Sequence, residues 1–147
     1  VYNGSNWVTS AGEDRYRRAL YTYIRRSSPY PNMITFDAPS REFCVTRRIR
    51  TNTPLQALAI LNDTVYTEVA QRLALQMWKL DKAKPEQKMQ YGFKKALLRS
   101  PNPKELNTLV QLFEKSKRYY ESQVRLIPTM TGQKSAPSEL AAYTLVA

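Results

Sequence analysis

Three prolines stand where only the first turn of a helix accepts them: Pro54 after Thr53, Pro85 after a short polar stretch, and Pro103 after Asn102. Proline lacks the N–H that would be an orphan at a first helical position, and its fixed φ suits that place, whereas inside a helix it breaks the ladder. Thr53 and Asn102 are cap types, whose side chains take the first free N–H groups. The pattern predicts helices opening at Pro54, Pro85 and Pro103. Asn62-Asp63 interrupts the first, and Asp63 caps another behind it. The expected buried faces are Leu55, Leu58 and Leu61, then Val65, Val69, Leu73 and Met77, then Tyr91, Phe93, Leu97 and Leu98, then Leu106, Leu109, Val110, Phe113 and Tyr120. Ser138 opens a last helix. The fold class is mainly α: a helical bundle of about five helices with an irregular, arginine-rich N-terminal segment. One domain is expected, with an irregular part over 1–52 and the bundle over 53–147.

The first fifty residues are less regular. Residues 1–12 have turn composition. Glu13 and Asp14 suit a helix start, and Tyr16, Leu20, Tyr23 and Ile24 share a helical face. A helix is therefore expected there, with a strand as the alternative because Tyr, Thr and Ile are frequent. Pro29 and Pro31 break the chain, 33–51 reads as extended or irregular, and Ser40 can cap a turn that includes Glu42. Residues 81–84 read as a linker and Ile127 to Ser138 as a polar loop.

Charge is distributed unevenly. The chain carries a net +11. Its first fifty residues hold nine arginines, no lysine and four acids, whereas lysines interspersed with glutamates dominate from Lys79 onward. Arginine makes bidentate contacts to carboxylate, phosphate or sulfate and stacks on aromatics; lysine is a looser point charge. A specific site belongs in the arginine half. Candidate anion- or partner-binding residues are Arg41, Arg47, Arg48, Arg50 and Asn52, with Arg17, Arg18, Arg25 and Arg26 upstream. Asp37, Glu42 and Asp63 are candidate salt-bridge partners, and Thr53 a candidate cap. Asp37 and Glu42 could also form an acid–base pair, but arginines nearby would hold both carboxyls ionised.

Other chemistries find little support. With no histidine and a single cysteine, the chain has neither zinc-site nor haem-attachment motifs, and no cofactor or metal is expected. Cys44 reads as a small buried side chain between Phe43 and Val45. No glycine-rich phosphate loop occurs, and no run of 18 apolar residues could span a membrane. The chain starts Val1-Tyr2-Asn3-Gly4, without initiator methionine or signal peptide, and ends within the apolar pattern Leu140–Ala147. Both ends look cut, as in a piece of a larger protein with a truncated last helix.

The strings Arg17-Arg18-Ala19-Leu20-Tyr21-Thr22, Thr35-Phe36-Asp37-Ala38-Pro39-Ser40-Arg41-Glu42-Phe43-Cys44, Arg47-Arg48-Ile49-Arg50-Thr51-Asn52-Thr53-Pro54-Leu55-Gln56-Ala57-Leu58 and Leu61-Asn62-Asp63, with the later Ala141–Ala147, resemble one family. It is the C-terminal domain of unknown function of large planctomycete-type secreted proteins, with relatives in Bacteroidetes and Verrucomicrobia. Those proteins often carry a cytochrome c module. The segment is similar to the C-terminal half of that domain. The resemblance implies a secreted, periplasmic or cell-surface location and supplies no catalytic residue. The expected function is that of a non-catalytic module that contacts its own parent protein or a surface partner. The alternative is part of a binding or processing site for acidic polysaccharide. Nucleic acid is not the expected partner.

Overall fold

A computed structural model describes residues 10–25, 28–40, 42–80 and 83–147. Among them it is mainly α, with seven helices and no strand: α1 (Pro31–Thr35), α2 (Pro54–Asn62), α3 (Thr64–Trp78), α4 (Pro85–Leu97), α5 (Pro103–Ser122), α6 (Ile127–Thr131) and α7 (Ser138–Val146). Pro54, Pro85 and Pro103 each open their helix. Internal contacts divide the chain into two units, Val1–Tyr66 and Thr67–Ala147. The expectations for residues 1–9, Arg26, Ser27, Arg41 and the linker residues 81–82 lie outside the described residues.

The C-terminal unit is built around α7. Leu140 to Thr144 are all buried, so this helix has no solvent face along that run and lies at the centre of its unit. The Phe113 ring of α5 packs 4.5 Å from the Tyr143 ring, and Met77, Met89 and Leu140 complete the cluster. Tyr120, Ile127 and Ala141 form a second cluster. The start of α5 closes a reciprocal capping box: Glu105 N–H donates to Asn102 Oδ1, and Asn102 N–H donates to the Glu105 carboxylate, both at 2.8 Å. Arg99 grips that carboxylate with two donors, at 2.9 and 2.7 Å. Chiefly through Arg99, and then Asn102, the Glu105 carboxyl is lowered to about 2.

Several sequence expectations are corrected, among them the break at Pro29 and Pro31 and the irregular reading from 33 onward, since Pro31 instead opens α1, which runs to Thr35. No α-helix runs from Glu13 to Ile24; Gly12–Tyr16 and Ala19–Tyr21 form separate 3-10 turns, with Arg17 extended at ψ 144°. Short helices depend on packing, and here Tyr16, Leu20, Tyr21 and Tyr23 are exposed. The polar loop expected after Ile127 contains α6, with buried Ile127 and Thr131, and Gly132 ends it at φ 67°. On α4 the buried residues are Met89 and Gly92, whereas Leu97 and Leu98 are exposed. Leu98 ends that helix in the left-handed conformation, which turns its side chain away from the expected apolar face.

An apolar cavity of about 240 Å³ lies in the C-terminal unit, bordered by Leu73, Met77, Met89, Gly92 and Leu109. A Cβ on Gly92 would stand 2.5 Å from the Met77 sulfur. The end of a methionine is flexible, however, and the cavity gives it room to withdraw. Alanine gains ~1 kcal/mol over glycine inside a helix. Gly92→Ala is therefore expected to leave the thermal midpoint within a few degrees, whereas Met77→Ala should cost ~2–5 kcal/mol by enlarging the cavity. Thermal unfolding of both variants checks this; a large loss in Gly92→Ala would show that Met77 cannot move.

Candidate functional site

The N-terminal unit is assembled from polar contacts, beginning at the end of α1. Asp37 N–H donates to Ile34 C=O at 3.1 Å and Ala38 N–H to Met33 C=O at 2.8 Å, with Asp37 at φ 59°. This is a Schellman stop, usually made by glycine, and aspartate is among the few other residues that tolerate it. The turn aims the Asp37 carboxylate at Thr51. It accepts the Thr51 N–H at 2.7 Å and the Thr51 hydroxyl at 2.9 Å, and Gln56 Nε2 at 3.2 Å. These donors hold the Asp37 carboxyl below its ordinary value; Thr51 is the main cause and Arg48 the least. The arginine-driven lowering expected from sequence is therefore corrected: the direction is the same, but hydrogen bonds dominate.

Gln56 is the centre of this knot. It sits in the first turn of α2 and closes a capping box with Thr53: Gln56 N–H donates to Thr53 Oγ1 at 3.3 Å, and Thr53 N–H to Gln56 Oε1 at 3.2 Å. Its amide NH2 also reaches Thr35 C=O at 2.9 Å and Thr51 Oγ1 at 3.0 Å. Gln56 is the one buried residue of α2. Leu55, Leu58 and Leu61, expected to face a core, are 61%, 55% and 73% exposed. The inward side of α2 is taken by the glutamine network, so its leucines point outward.

Asp63 fastens the following turn. Its Oδ1 accepts Val65 N–H at 2.8 Å, and its Oδ2 accepts Asn32 Nδ2 at 3.0 Å, tying α1 to the start of α3. Arg15 adds a hydrogen bond to Thr64 Oγ1 at 3.0 Å, and Phe36 lies 6.1 Å from Tyr66.

Arg47, Arg48, Arg50 and Asn52 are exposed, as is Glu42, whose N–H donates to Ser40 Oγ at 3.4 Å. Cys44, expected to be buried, is exposed, because the stretch from 42 to 50 has no helix or strand to pack it. Saturated with donors and held ionised, Asp37 is unsuited to act as a general acid. Among the described residues no three histidine, cysteine or carboxylate side chains converge to hold a metal. Sequence reasoning missed Gln56, Thr51 and Asn32 as network members. The Thr53-x-x-Gln56 spacing is a capping-box signature and would have flagged Gln56.

Fold and site together define a mainly helical module whose N-terminal unit is tied by side-chain hydrogen bonds and carries exposed arginines. The chain belongs to the family described as PSD1, protein of unknown function (DUF1553), whose pattern matches residues 2–113. No curated protein and no solved structure compared with it matches the chain. Among the described residues no helix is long and apolar enough to cross a membrane.

The knot should respond to acid. A carboxyl whose folded value is depressed adds stability above its ordinary value, and that stability is lost as pH falls through the folded value. The Asp37 contribution is thus expected to be complete at neutral pH and to disappear below the ordinary aspartate range. Thermal midpoints of the wild type and Asp37→Asn should therefore differ most at pH 7 and converge toward pH ~3. Asparagine tolerates the left-handed turn, so the variant keeps the backbone while it removes the charge and one acceptor oxygen. A gap that stays constant with pH would show that the carboxylate charge plays no part.

Proposed function

We propose that the chain is a non-catalytic helical module of a secreted, planctomycete-type multidomain protein, working through contacts with the rest of that protein or a surface partner. The carrying observation is α2: its buried residue is a glutamine and its three leucines are exposed. Apolar side chains displayed in this way are a common mark of an interaction surface. The secreted setting and the association with a cytochrome c module rest on the sequence resemblance. In the parent protein, Leu58→Asp with Leu61→Asp is expected to reduce assembly or secretion while leaving the helical circular dichroism of the 147-residue chain unchanged. A parent that assembles and is exported as before would overturn the proposal.

The exposure of Arg47, Arg48 and Arg50 favours one alternative, in which these residues, with Arg41, grip the carboxylate or sulfate groups of an acidic polysaccharide. Affinity for such a glycan would then fall with salt, and it would be lost in Arg47→Ala and Arg48→Ala but kept in Lys94→Ala.

A further inference from the structure

We infer that residues 42–50 form a recognition edge for an acidic protein surface with apolar side chains at its centre. The inference rests on the reading that the module works by contact, and adds the place and the chemistry of the partner.

Every residue from Glu42 to Arg50 is exposed, and none lies in a helix or strand. The stretch is held next to its C-terminal end, because Thr51, adjacent to Arg50, is bound through both its N–H and its hydroxyl by Asp37. Its side chains combine two chemistries. Arg47, Arg48 and Arg50 stand against Glu42 alone, a net of 3 − 1 = +2 over the stretch. Among the described residues none of the three arginines closes an ion pair. Interleaved with them, Phe43 and Ile49 are 68% and 77% exposed and Val45 is 47% exposed.

Charge complementarity calls for an anionic partner. The apolar residues decide which class. A sulfated or carboxylated glycan, or a phosphate backbone, presents less apolar surface than a protein does to cover isoleucine and valine. A protein surface gains from both, and arginine beside aromatic and aliphatic side chains is the composition of a protein interface core.

The test compares three probes with the 147-residue chain by fluorescence anisotropy, at low and at physiological salt. They are a helix-forming Glu/Leu/Ala peptide, a polyglutamate of equal charge, and heparin. The Glu/Leu/Ala peptide is expected to bind about tenfold more tightly than polyglutamate. Arg47→Ala with Arg48→Ala, and separately Phe43→Ser with Ile49→Ser, should each weaken it about tenfold, whereas Lys94→Ala should not. All the substituted side chains are exposed, so unchanged circular dichroism is expected throughout. Tighter binding of heparin that ignores Phe43→Ser and Ile49→Ser would overturn the inference in favour of a polysaccharide. Equal affinity for the two peptides would reduce it to bulk charge, and no binding would end it. The contact reading itself is tested separately, by the α2 leucine variants in the parent protein.

Discussion

A single carboxylate, Asp37, joins three parts of the N-terminal unit, beside the ties made by Asn32 with Asp63 and by Gln56 with Thr35. Its backbone sits at φ 59°, a conformation that costs a residue with a Cβ on the order of 1–3 kcal/mol. That cost is offset by the donors the turn brings within reach: the N–H and hydroxyl of Thr51 and the amide of Gln56. The end of α1, the start of α2 and the residue closing the arginine-bearing stretch therefore meet on two oxygens. From residue 10 to residue 66, Gln56 is the only described residue that is buried. Side-chain hydrogen bonds here occupy the place that an apolar core takes elsewhere.

The consequence is energetic. A protein–protein hydrogen bond contributes about 0.5–1.5 kcal/mol net, because water offers the unfolded chain the same partners. A fully buried leucine contributes about 1.5–3 kcal/mol. The N-terminal unit thus has specific geometry with little apolar burial, and its leucines retain most of their capacity to bury area. The C-terminal unit is the opposite case, with α7 enclosed and Phe113, Tyr143, Met77 and Met89 almost fully covered. One unit holds a buried apolar core, whereas the other leaves the leucines of α2 at its surface.

This contrast also explains what was legible in the sequence. Caps and proline-led starts are local events, decided by a few neighbouring residues, and Thr53-Pro54, Asp63 and Asn102-Pro103 could be read directly. The core face of α5 was legible too, since Phe113 and Tyr120 repeat at helical spacing over a long element. Which way α2 faces was not. Leu55, Leu58 and Leu61 do form an apolar stripe, but periodicity says that a side exists, not that anything covers it. The Gln56 network depends on Asp37 and Thr51 arriving from 19 and 5 residues away, a tertiary fact with only the capping-box spacing as a local trace. Residues 12–21 failed for a related reason: their tyrosines and Leu20 find no surface to pack on, so the helix that their spacing permits does not form.

The two kinds of cation divide differently from what composition suggests. Among the cations of the C-terminal unit, Lys88 and Arg99 have internal tasks. Lys88 lies 5.5 Å above the Tyr143 ring and donates to Trp78 C=O at 3.1 Å, while Arg99 holds Glu105 and lies 4.8 Å from the Phe93 ring. In the N-terminal unit, Arg15 and Arg17 are engaged in the same way, by Thr64 and Asp14. Arg47, Arg48 and Arg50 are engaged by none of these means among the described residues. They are exposed beside Phe43, Val45 and Ile49, none of which the unit's own fold buries. Charge and apolar surface that the fold does not bury therefore coincide in one short stretch, at the end of the hydrogen-bonded knot around Asp37.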